Sequence, residues 1–393
     1  MEGGACDVAI AGGGPAGTGL ALRLSMRGID VRLFEEHSCL GSPAHCAGLV
    51  GPSMASLPEI GDLVRDCIIN RIRGAVFASP DGTKFSIEGD PTSALVLDRK
   101  LFDRRLGEGA ARCGATIELR SKVSGIRGHK VDVITEGSRR ELETKVVVGA
   151  TGPRFAISSM LGAPNGNVIP GIQFEVTKLS LDQEMVHLYF GREVSDGLFC
   201  WVIPLDSSTA RIGLCTRRGA KERLHRLLET RIKQDFGKGQ VVEVNAGAIA
   251  YGLRDRTVWG NVLLVGDEAL QTKPATGGGI HFSIICSGIA ANCIAEHLAL
   301  GRDLQCYESA WRRVLEKEIR FGLMVRRVFE DLRDAEINKL FASVLPRDRQ
   351  VLCHADFDRH SSIGRALPAF LPRMARQLGL TRMMALSANA LFG

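Results

Sequence analysis

The chain has 393 residues, 45% of them hydrophobic and 24% charged, a composition typical of soluble globular proteins and long enough for two or three structural units. Its formal charge of +6 is mild and spread out, and no basic stripe interleaves with aromatics, which argues against nucleic acid as a partner. The eleven cysteines are scattered through apolar segments without a C-x-x-C pair, and no H-E-x-x-H occurs. Neither a disulfide framework nor a zinc or iron–sulfur centre is expected, and no metal ligands are assigned.

The start of the chain carries no basic region leading into an apolar run and a cleavage site, so a cytoplasmic protein is expected. Asp7 to Ala11 reads as a short apolar strand, Gly12 to Gly17 as a glycine-rich turn, Thr18 to Arg27 as a helix and Val31 to Phe34 as a second strand: a βαβ opening. Ile72 to Ile87 alternates around Pro80-Asp81-Gly82, which predicts a hairpin. Asp98 to Arg112 has helical spacing closed by Gly114, and strands follow near Ile117, Val131 and Val146. From Gly171 to Ala250 the pattern is mostly strands, with one helix over Leu224 to Phe236. Val262 to Val265 is again an apolar strand, followed by a long helix from near Gly278. His281 to Leu300 is apolar enough to raise a membrane span, but it carries Asn292, Glu296 and two histidines and reads as a buried helix. Beyond Leu300 the pattern is helical. Arginines gather there at Arg312, Arg313, Arg326, Arg327 and Arg373, compatible with an anionic surface nearby.

Gly12-Gly13-Gly14-Pro15-Ala16-Gly17 satisfies G-x-G-x-x-G between strand and helix. Its glycines allow a tight turn and close backbone approach, so that a pyrophosphate meets the free N–H groups of the helix; Gly12, Gly14, Pro15, Ala16 and Gly17 are the candidate contacts. Glu35 closes the next strand with Glu36 beside it, where an acidic side chain accepts hydrogen bonds from an adenosine ribose. A second segment, Gly266-Asp267-Glu268-Ala269, ends an apolar strand and leads through Pro274 to Gly277-Gly278-Gly279-Ile280. Asp267 there can hold the hydroxyls of a ribityl chain. The helix N-terminus offers partial positive charge to the pyrimidine side of a flavin and favours its anionic reduced form. A bare turn aspartate is the plainer reading of Asp267 alone. Together the two segments point to FAD.

With these motifs the chain resembles FAD enzymes of the aromatic-hydroxylase type and, within them, the geranylgeranyl reductases, over roughly its first three hundred residues. Asp98-Arg99 with Asp103 stands where that family's arginine contacts the cofactor; Arg99 also reads as an ordinary surface arginine in a first helical turn. Gly149-Ala150-Thr151-Gly152 matches Gly-Ala-Asp-Gly except at Thr151, and Gly152 is carried over as a cofactor contact. Gly41-Ser42-Pro43-Ala44-His45-Cys46-Ala47-Gly48 is similar to the segment placed beside the flavin ring. The resemblance implies cofactor contacts from Cys46, Ala47 and Gly48, and a cysteine facing the substrate; by itself Cys46 is more often a buried thiol. Phe199-Cys200-Trp201-Val202-Ile203-Pro204 partly matches Tyr-x-Trp-x-Phe-Pro, thought to grip the prenyl chain, with Asp196 where a proline is usual. Phe199, Trp201 and Pro204 are the implied substrate contacts, although a strand tryptophan is more often core.

The fold class expected is α/β. An FAD-binding Rossmann-like domain of the aromatic-hydroxylase/glutathione-reductase type spans 1–70, 98–160 and 252–300, an inserted antiparallel-sheet substrate domain spans 71–97 and 161–251, and a helical C-terminal region spans 301–393. The resemblance implies reduction of isolated C=C bonds in geranylgeranyl chains of archaeal-type ether phospholipids, with Cys46 as the catalytic candidate. A flavin monooxygenase or halogenase shares the fold and both cofactor motifs and stays the alternative. Halogenases carry Trp-x-Trp-x-Ile-Pro, and Phe199 replaces the first tryptophan. No second G-x-G-x-x-G is present for a stably bound nicotinamide, so a transient reductant is expected: NADPH, reduced ferredoxin or a reduced deazaflavin. A prenylated lipid implies an apolar tunnel opening toward a bilayer. Pro368 to Met384 then reads as a basic, apolar contact with an anionic membrane, against a solvated helical cap. A monomer is the working expectation.

Overall fold

The computed structural model describes residues 4–43, 46–89, 92–353, 356–365 and 367–392. Strand β1 (Ala5–Ala11) is apolar on both faces: Val8 and Ile10 enter one core, Ala9 and Ala11 another. That is the pattern of a strand covered on both sides. Helix α1 (Pro15–Ser25) begins on proline, which is tolerated at the first helical position because its missing N–H would be unpaired there. Strand β2 (Val31–Phe34) returns parallel to β1, Val8 beside Val31 and Ala11 beside Phe34.

The chain then runs through β3 (Leu49–Val50), α2 (Gly61–Asp66), β4 (Ile68–Ile72), β5 (Gly74–Ala78), β6 (Lys84–Glu88) and β7 (Ala94–Leu97). β5 and β6 form the hairpin expected at Pro80-Asp81-Gly82, with Gly82 at φ +93° and Asp81 Oδ1 accepting from Thr83 N at 3.0 Å. Helix α3 (Arg99–Arg112) is capped by Asp98, whose Oδ1 accepts from Leu101 N at 3.0 Å. Then come β8 (Thr116–Glu118), β9 (Ser121–Arg127), β10 (Lys130–Thr135), β11 (Ser138–Gly149) and α4 (Ala156–Met160). Next are β12 (Asn167–Thr177), β13 (Met185–Tyr189), β14 (Cys200–Pro204), β15 (Ala210–Cys215), α5 (Ala220–Leu227), α6 (Lys233–Phe236) and β16 (Gln240–Tyr251). The chain re-enters the first layer through β17 (Val258–Trp259) and β18 (Val262–Leu264). It ends in α7 (Ile280–Leu300), α8 (Cys306–Asp331), α9 (Asp334–Ala342), α10 (Pro346–Cys353), α11 (Leu367–Leu378) and α12 (Leu380–Phe392).

Three sheets result. The first has the order β17-β18-β11-β1-β2-β8, parallel from β18 to β8, with β10 added antiparallel to β11 and β9 antiparallel to β10. Its register decides where the site lies. Ala11 is level with Gly149, and Gly149 with Leu264, so β1, β11 and β18 end flush at their carboxyl ends. Loops leaving such ends, where neighbouring strands connect in opposite directions, form the ligand crevice of open parallel sheets. α1 packs between α3 and α7 on one face. On the other face Val123, Val131, Val133 and Leu142 of the antiparallel extension cover the sheet.

The second sheet, β16-β12-β15-β14-β13-β5-β6, is antiparallel except where β13 runs parallel to β5. That pair departs from an all-antiparallel insert, because β5 comes from the early hairpin and β13 from the later segment. β7 also departs from the sequence-based division: it pairs with β3 and β4 in a small third sheet and leaves the large insert to β5 and β6. The nucleotide-domain core likewise passes residue 300, since Tyr307, Trp311, Leu315 and Ile319 of α8 share it with α1 and α7.

α7 has the length and hydropathy of a membrane span, but Phe282, Ile284, Cys286, Ala290, Ala291 and Ile294 are buried in this core, as expected of a core helix. Of the late arginines, three turn inward. Arg312 pairs with Glu308 and donates to Arg254 O, Arg326 lies over the Tyr251 ring and donates to Pro274 O, and Arg373 pairs with Asp348. The anionic surface suggested by their clustering is therefore met, for these three, by groups of the chain itself.

Candidate functional site

Each glycine of the first loop is required for a different reason. Gly12 holds φ +109°, and a Cβ there would stand 2.3 Å from Ala150 O. At Gly17 a Cβ would stand 2.0 Å from Gly12 O, where helix and strand cross. At Gly14 it would meet nothing within 4 Å. Gly14 is the N-cap of α1, with no side-chain cap and no acidic residue in the first turn. Open space therefore faces the free amides and positive end of the helix, next to Pro15 and Ala16, as a pyrophosphate needs.

Glu35 is buried beside this loop. Its Oε2 accepts from Gly13 N at 2.7 Å, and its Oε1 accepts from His37 N at 2.9 Å and lies 2.5 Å from His37 Nδ1. It fixes the loop's shape in addition to any ribose contact. Glu36 is exposed and pairs instead with Arg154, just after Gly152, which takes φ +67°.

The second segment meets the first directly. Gly266, at φ +73°, leaves room for Ala16: a Cβ would come within 2.8 Å of the Ala16 Cβ. Asp267 follows, its carboxyl pushed up to about 6 by burial, with the Arg99 guanidinium opposing. A Cβ on Gly279 would stand 2.7 Å from Asp267 Oδ1, and one on Gly277, at φ +75°, 2.3 Å from Ile249 Cδ1. Gly278 packs on Lys273. Gly279 caps α7 with no side-chain cap and no acidic residue in the first turn, so the positive end of the helix at Ile280 is left for a ligand. Two uncapped helix ends, one with open space before it, joined by an aspartate, fit a dinucleotide carrying a flavin.

Glu268 has a part that sequence reasoning missed. Its Oε2 accepts from Thr151 N and Oγ1 at 2.7 and 2.9 Å, its Oε1 from Ile157 N and Ser158 N at 2.7 and 2.9 Å. The departure at Thr151 from the aspartate of Gly-Ala-Asp-Gly is thereby explained: a hydroxyl can donate to Glu268, and a carboxylate would repel it. Sequence held no signal for a bond 117 residues long.

Arg99 is 8% exposed and holds Asp103 through both oxygens at 2.9 and 2.8 Å; the surface-arginine reading is corrected. Burial works against its charge, but Asp103 and the Cys46 sulfur together more than offset this and hold Arg99 above its ordinary value. Cys46 is half-buried, and its Sγ accepts from Gly48 N at 3.5 Å. Gly48 takes φ +81°, and Arg211 clamps the turn by donating to Ala47 O and Leu97 O at 3.0 and 2.9 Å. Ala44 and His45 lie outside the described residues. Arg99 thus interacts with both Cys46 and Asp267, so the Cys46 turn and the Gly266–Asp267 segment lie near one charge.

Phe199 and Trp201 both pack against Ile169, Leu198, Cys215 and Tyr251, together with Ile249 and Leu323. Ile249 is the residue on which Gly277 closes, so this apolar wall abuts the flavin loop. Trp201 donates its Nε1 to Gln173 Oε1 at 3.1 Å, and Gly213 leaves space for its ring. Pro204 is not brought to this wall. It is buried at the end of β14, and strand alternation puts it on the opposite face from Trp201. Asp196 accepts from Thr216 Oγ1 at 2.6 Å and pairs with Arg223, a structural link.

Residues 5–319 match the FAD binding domain family. The chain is 31% identical over 362 residues to a digeranylgeranylglycerophospholipid reductase of Methanothermobacter thermautotrophicus, covering 87% of this chain and 92% of that protein. It is 30% identical over 370 residues to an uncharacterized protein of Methanocaldococcus jannaschii, covering 91% and 93%. The crystal structure of a geranylgeranyl bacteriochlorophyll reductase-like protein of Thermoplasma acidophilum superposes with a TM-score of 0.83 at 21% identity, covering 96% and 99%. An FAD binding domain over most of the chain, two converging glycine-rich segments and relatives of this kind together make the chain a member of the geranylgeranyl reductase family.

Proposed function

We propose that this chain saturates isolated C=C bonds in the geranylgeranyl chains of archaeal-type ether glycerophospholipids. The observation that carries this reading is the apolar wall of Phe199, Trp201 and Tyr251 set against the Gly277 turn, which suits a hydrocarbon held beside a flavin. The activity for which the similar archaeal reductases are named points the same way.

FAD in its reduced form supplies the hydride. An isolated trisubstituted alkene has no carbonyl to hold the charge left by hydride arrival, so a proton must be available at the neighbouring carbon. Cys46 is the protein group we assign to hold that proton at its Sγ and give it to the alkene carbon, or to position the prenyl chain. Arg99 keeps a positive charge beside the sulfur, and Asp267 and the α7 N-terminus orient the cofactor's ribityl and pyrimidine parts. The aromatic wall excludes water from the reacting bond. The reductant docks transiently, and the protein acts as a monomer at the cytoplasmic membrane face. There α12 offers Leu380 and Met384, 73% and 72% exposed, while Arg382 stays paired with Glu336.

The test is anaerobic incubation of the reduced holoenzyme with a digeranylgeranyl glycerophospholipid, read by mass spectrometry. Stepwise gain of hydrogen pairs is the expected result. No gain, together with substrate-dependent oxygen consumption on an aromatic compound, would replace this reading with a monooxygenase. Flotation with anionic vesicles tests the membrane contact, and its absence there would remove it.

A further inference from the structure

The loop from Asp267 to α7 turns back on itself at Lys273, whose amide donates to Gly278 O at 2.9 Å and whose carbonyl accepts from Gly277 N at 2.8 Å. Its side chain is only 6% exposed. The ammonium donates to Asp358 Oδ1 at 3.1 Å and to Phe357 O at 3.2 Å, and stands 4.6 Å from the centre of the Phe357 ring. Asp358, with 2% of its side chain exposed, lies 85 residues further on, in the segment between α10 and α11. Its other oxygen accepts from Ser53 Oγ at 3.0 Å and lies 3.8 Å from His281 Nε2 on the first turn of α7. Gly51 makes room for it: a Cβ there would stand 2.1 Å from Asp358 Oδ2. Further along, Ser361 N donates to Glu318 Oε2 on α8 at 2.9 Å.

A buried ammonium and carboxylate persist as a pair, because losing either partner strands an uncompensated charge in a low-dielectric interior. The side chain whose backbone shapes the Gly277–Gly279 turn is therefore held by a piece of chain outside the nucleotide layer. We propose that Lys273 is a positioning residue for the flavin loop and that the segment 356–362 supplies its counter-ion, Asp358, so that FAD binding and docking of this segment are one coupled event. Coupling of this kind is reciprocal: whatever docking contributes to cofactor affinity, the cofactor returns to docking. The proposal rests on the placement of the Gly277–Gly279 turn at the flavin and is independent of the lipid substrate.

The test uses the full chain. FAD dissociation constants are measured for the wild type, Asp358→Asn, Lys273→Met and the double variant, together with the flavin's visible spectrum and the rate of proteolysis C-terminal to Pro346 with and without FAD. Each single variant is expected to lose FAD affinity by about 5–150-fold, the usual range of such couplings. The double variant, which strands no charge, recovers most of that loss, and FAD slows proteolysis in the wild type and the double variant more than in the singles. Single variants that bind FAD within twofold of the wild type would overturn the proposal. So would a double variant as impaired as the singles, with proteolysis indifferent to FAD. Should Asp358→Asn fail to fold, Ser53→Ala removes one bond to the same carboxylate and must show the same trends on a smaller scale. Gly278→Val checks the loop's placement separately, because FAD affinity unchanged in that variant would put the turn away from the flavin and overturn the proposal on that ground.

Discussion

Thr151 gives both its amide and its hydroxyl hydrogens to one oxygen of Glu268, at 2.7 and 2.9 Å. The other oxygen takes the first amides of α4, Ile157 N and Ser158 N, at 2.7 and 2.9 Å. A glutamine at 268 would bring an amide donor against groups that also donate. Glu268→Gln is expected to cost about 3 kcal/mol, the scale of charge-assisted bonds replaced by unsatisfied donors. Thr151→Ala, which removes the hydroxyl's bond to Glu268 and the one it accepts from Ala156 N, is expected to cost about 1–2 kcal/mol. Urea unfolding of both variants measures this, and equal losses would contradict the assignment.

The glycines of the first loop separate folding from binding. Gly17→Ala forces a Cβ to within 2.0 Å of Gly12 O and should destabilise the apoprotein strongly. Gly14→Ala meets nothing within 4 Å, so apoprotein stability should change by less than about 1 kcal/mol, the scale of a cap substitution. FAD affinity should nevertheless fall at least about tenfold, or about 1.4 kcal/mol, because the methyl enters the space before the helix. Fluorescence titration with FAD decides; unchanged affinity in Gly14→Ala would move the pyrophosphate elsewhere.

Asp267 makes a pH prediction. Burial holds its carboxyl at about 6 against an ordinary value of 3.8, with Arg99 opposing. The raised value means that the native state binds this proton more tightly than the unfolded chain. Its stabilisation is complete below about pH 4 and is lost as pH rises to about 6, at most about 3 kcal/mol across the window. Asp267→Asn should remove that slope from the apoprotein, so the stability difference between variant and wild type should grow in the variant's favour from pH 4 to pH 7. A constant difference across this range would show that Asp267 titrates normally.

Cys46 is tested by Cys46→Ala and Cys46→Ser. Both should keep FAD affinity within about threefold, since the cofactor is held mainly at the two helix ends, while turnover of a prenyl substrate falls about 100-fold, the lower range for losing a positioned proton source. Full turnover in either variant would remove the sulfur from the chemistry.

The local devices of this site could be read directly from the sequence. Strand, glycine turn and helix follow one another within Ala5–Ser25, Asp98 caps α3 as its position suggests, and the Pro80-Asp81-Gly82 turn makes its hairpin. Each of these depends on neighbours a few residues apart. What escaped is set by tertiary distance. Glu268 finds Thr151, Lys273 finds Asp358 and β5 finds β13 only after the sheets assemble. Sequence left a surface alternative open for Arg99 beside the cofactor contact, because it meets Cys46 and Asp267, which lie far from it in sequence. Pro204 is a substrate contact only by the family resemblance, and an odd spacing of three residues from Trp201 turns it to the other face.

Gly149 and Val262 sit on adjacent parallel strands, Val262 beside Val147, two residues before Gly149. The hundred or so residues between them are a detour whose two feet stand roughly 8 Å apart, one strand spacing sideways and two residues along. Such a module can be lengthened, trimmed or recut for a different guest while the electron-carrying end stays put, provided one toehold survives: an aliphatic side chain at 249 against which the glycine turn can close.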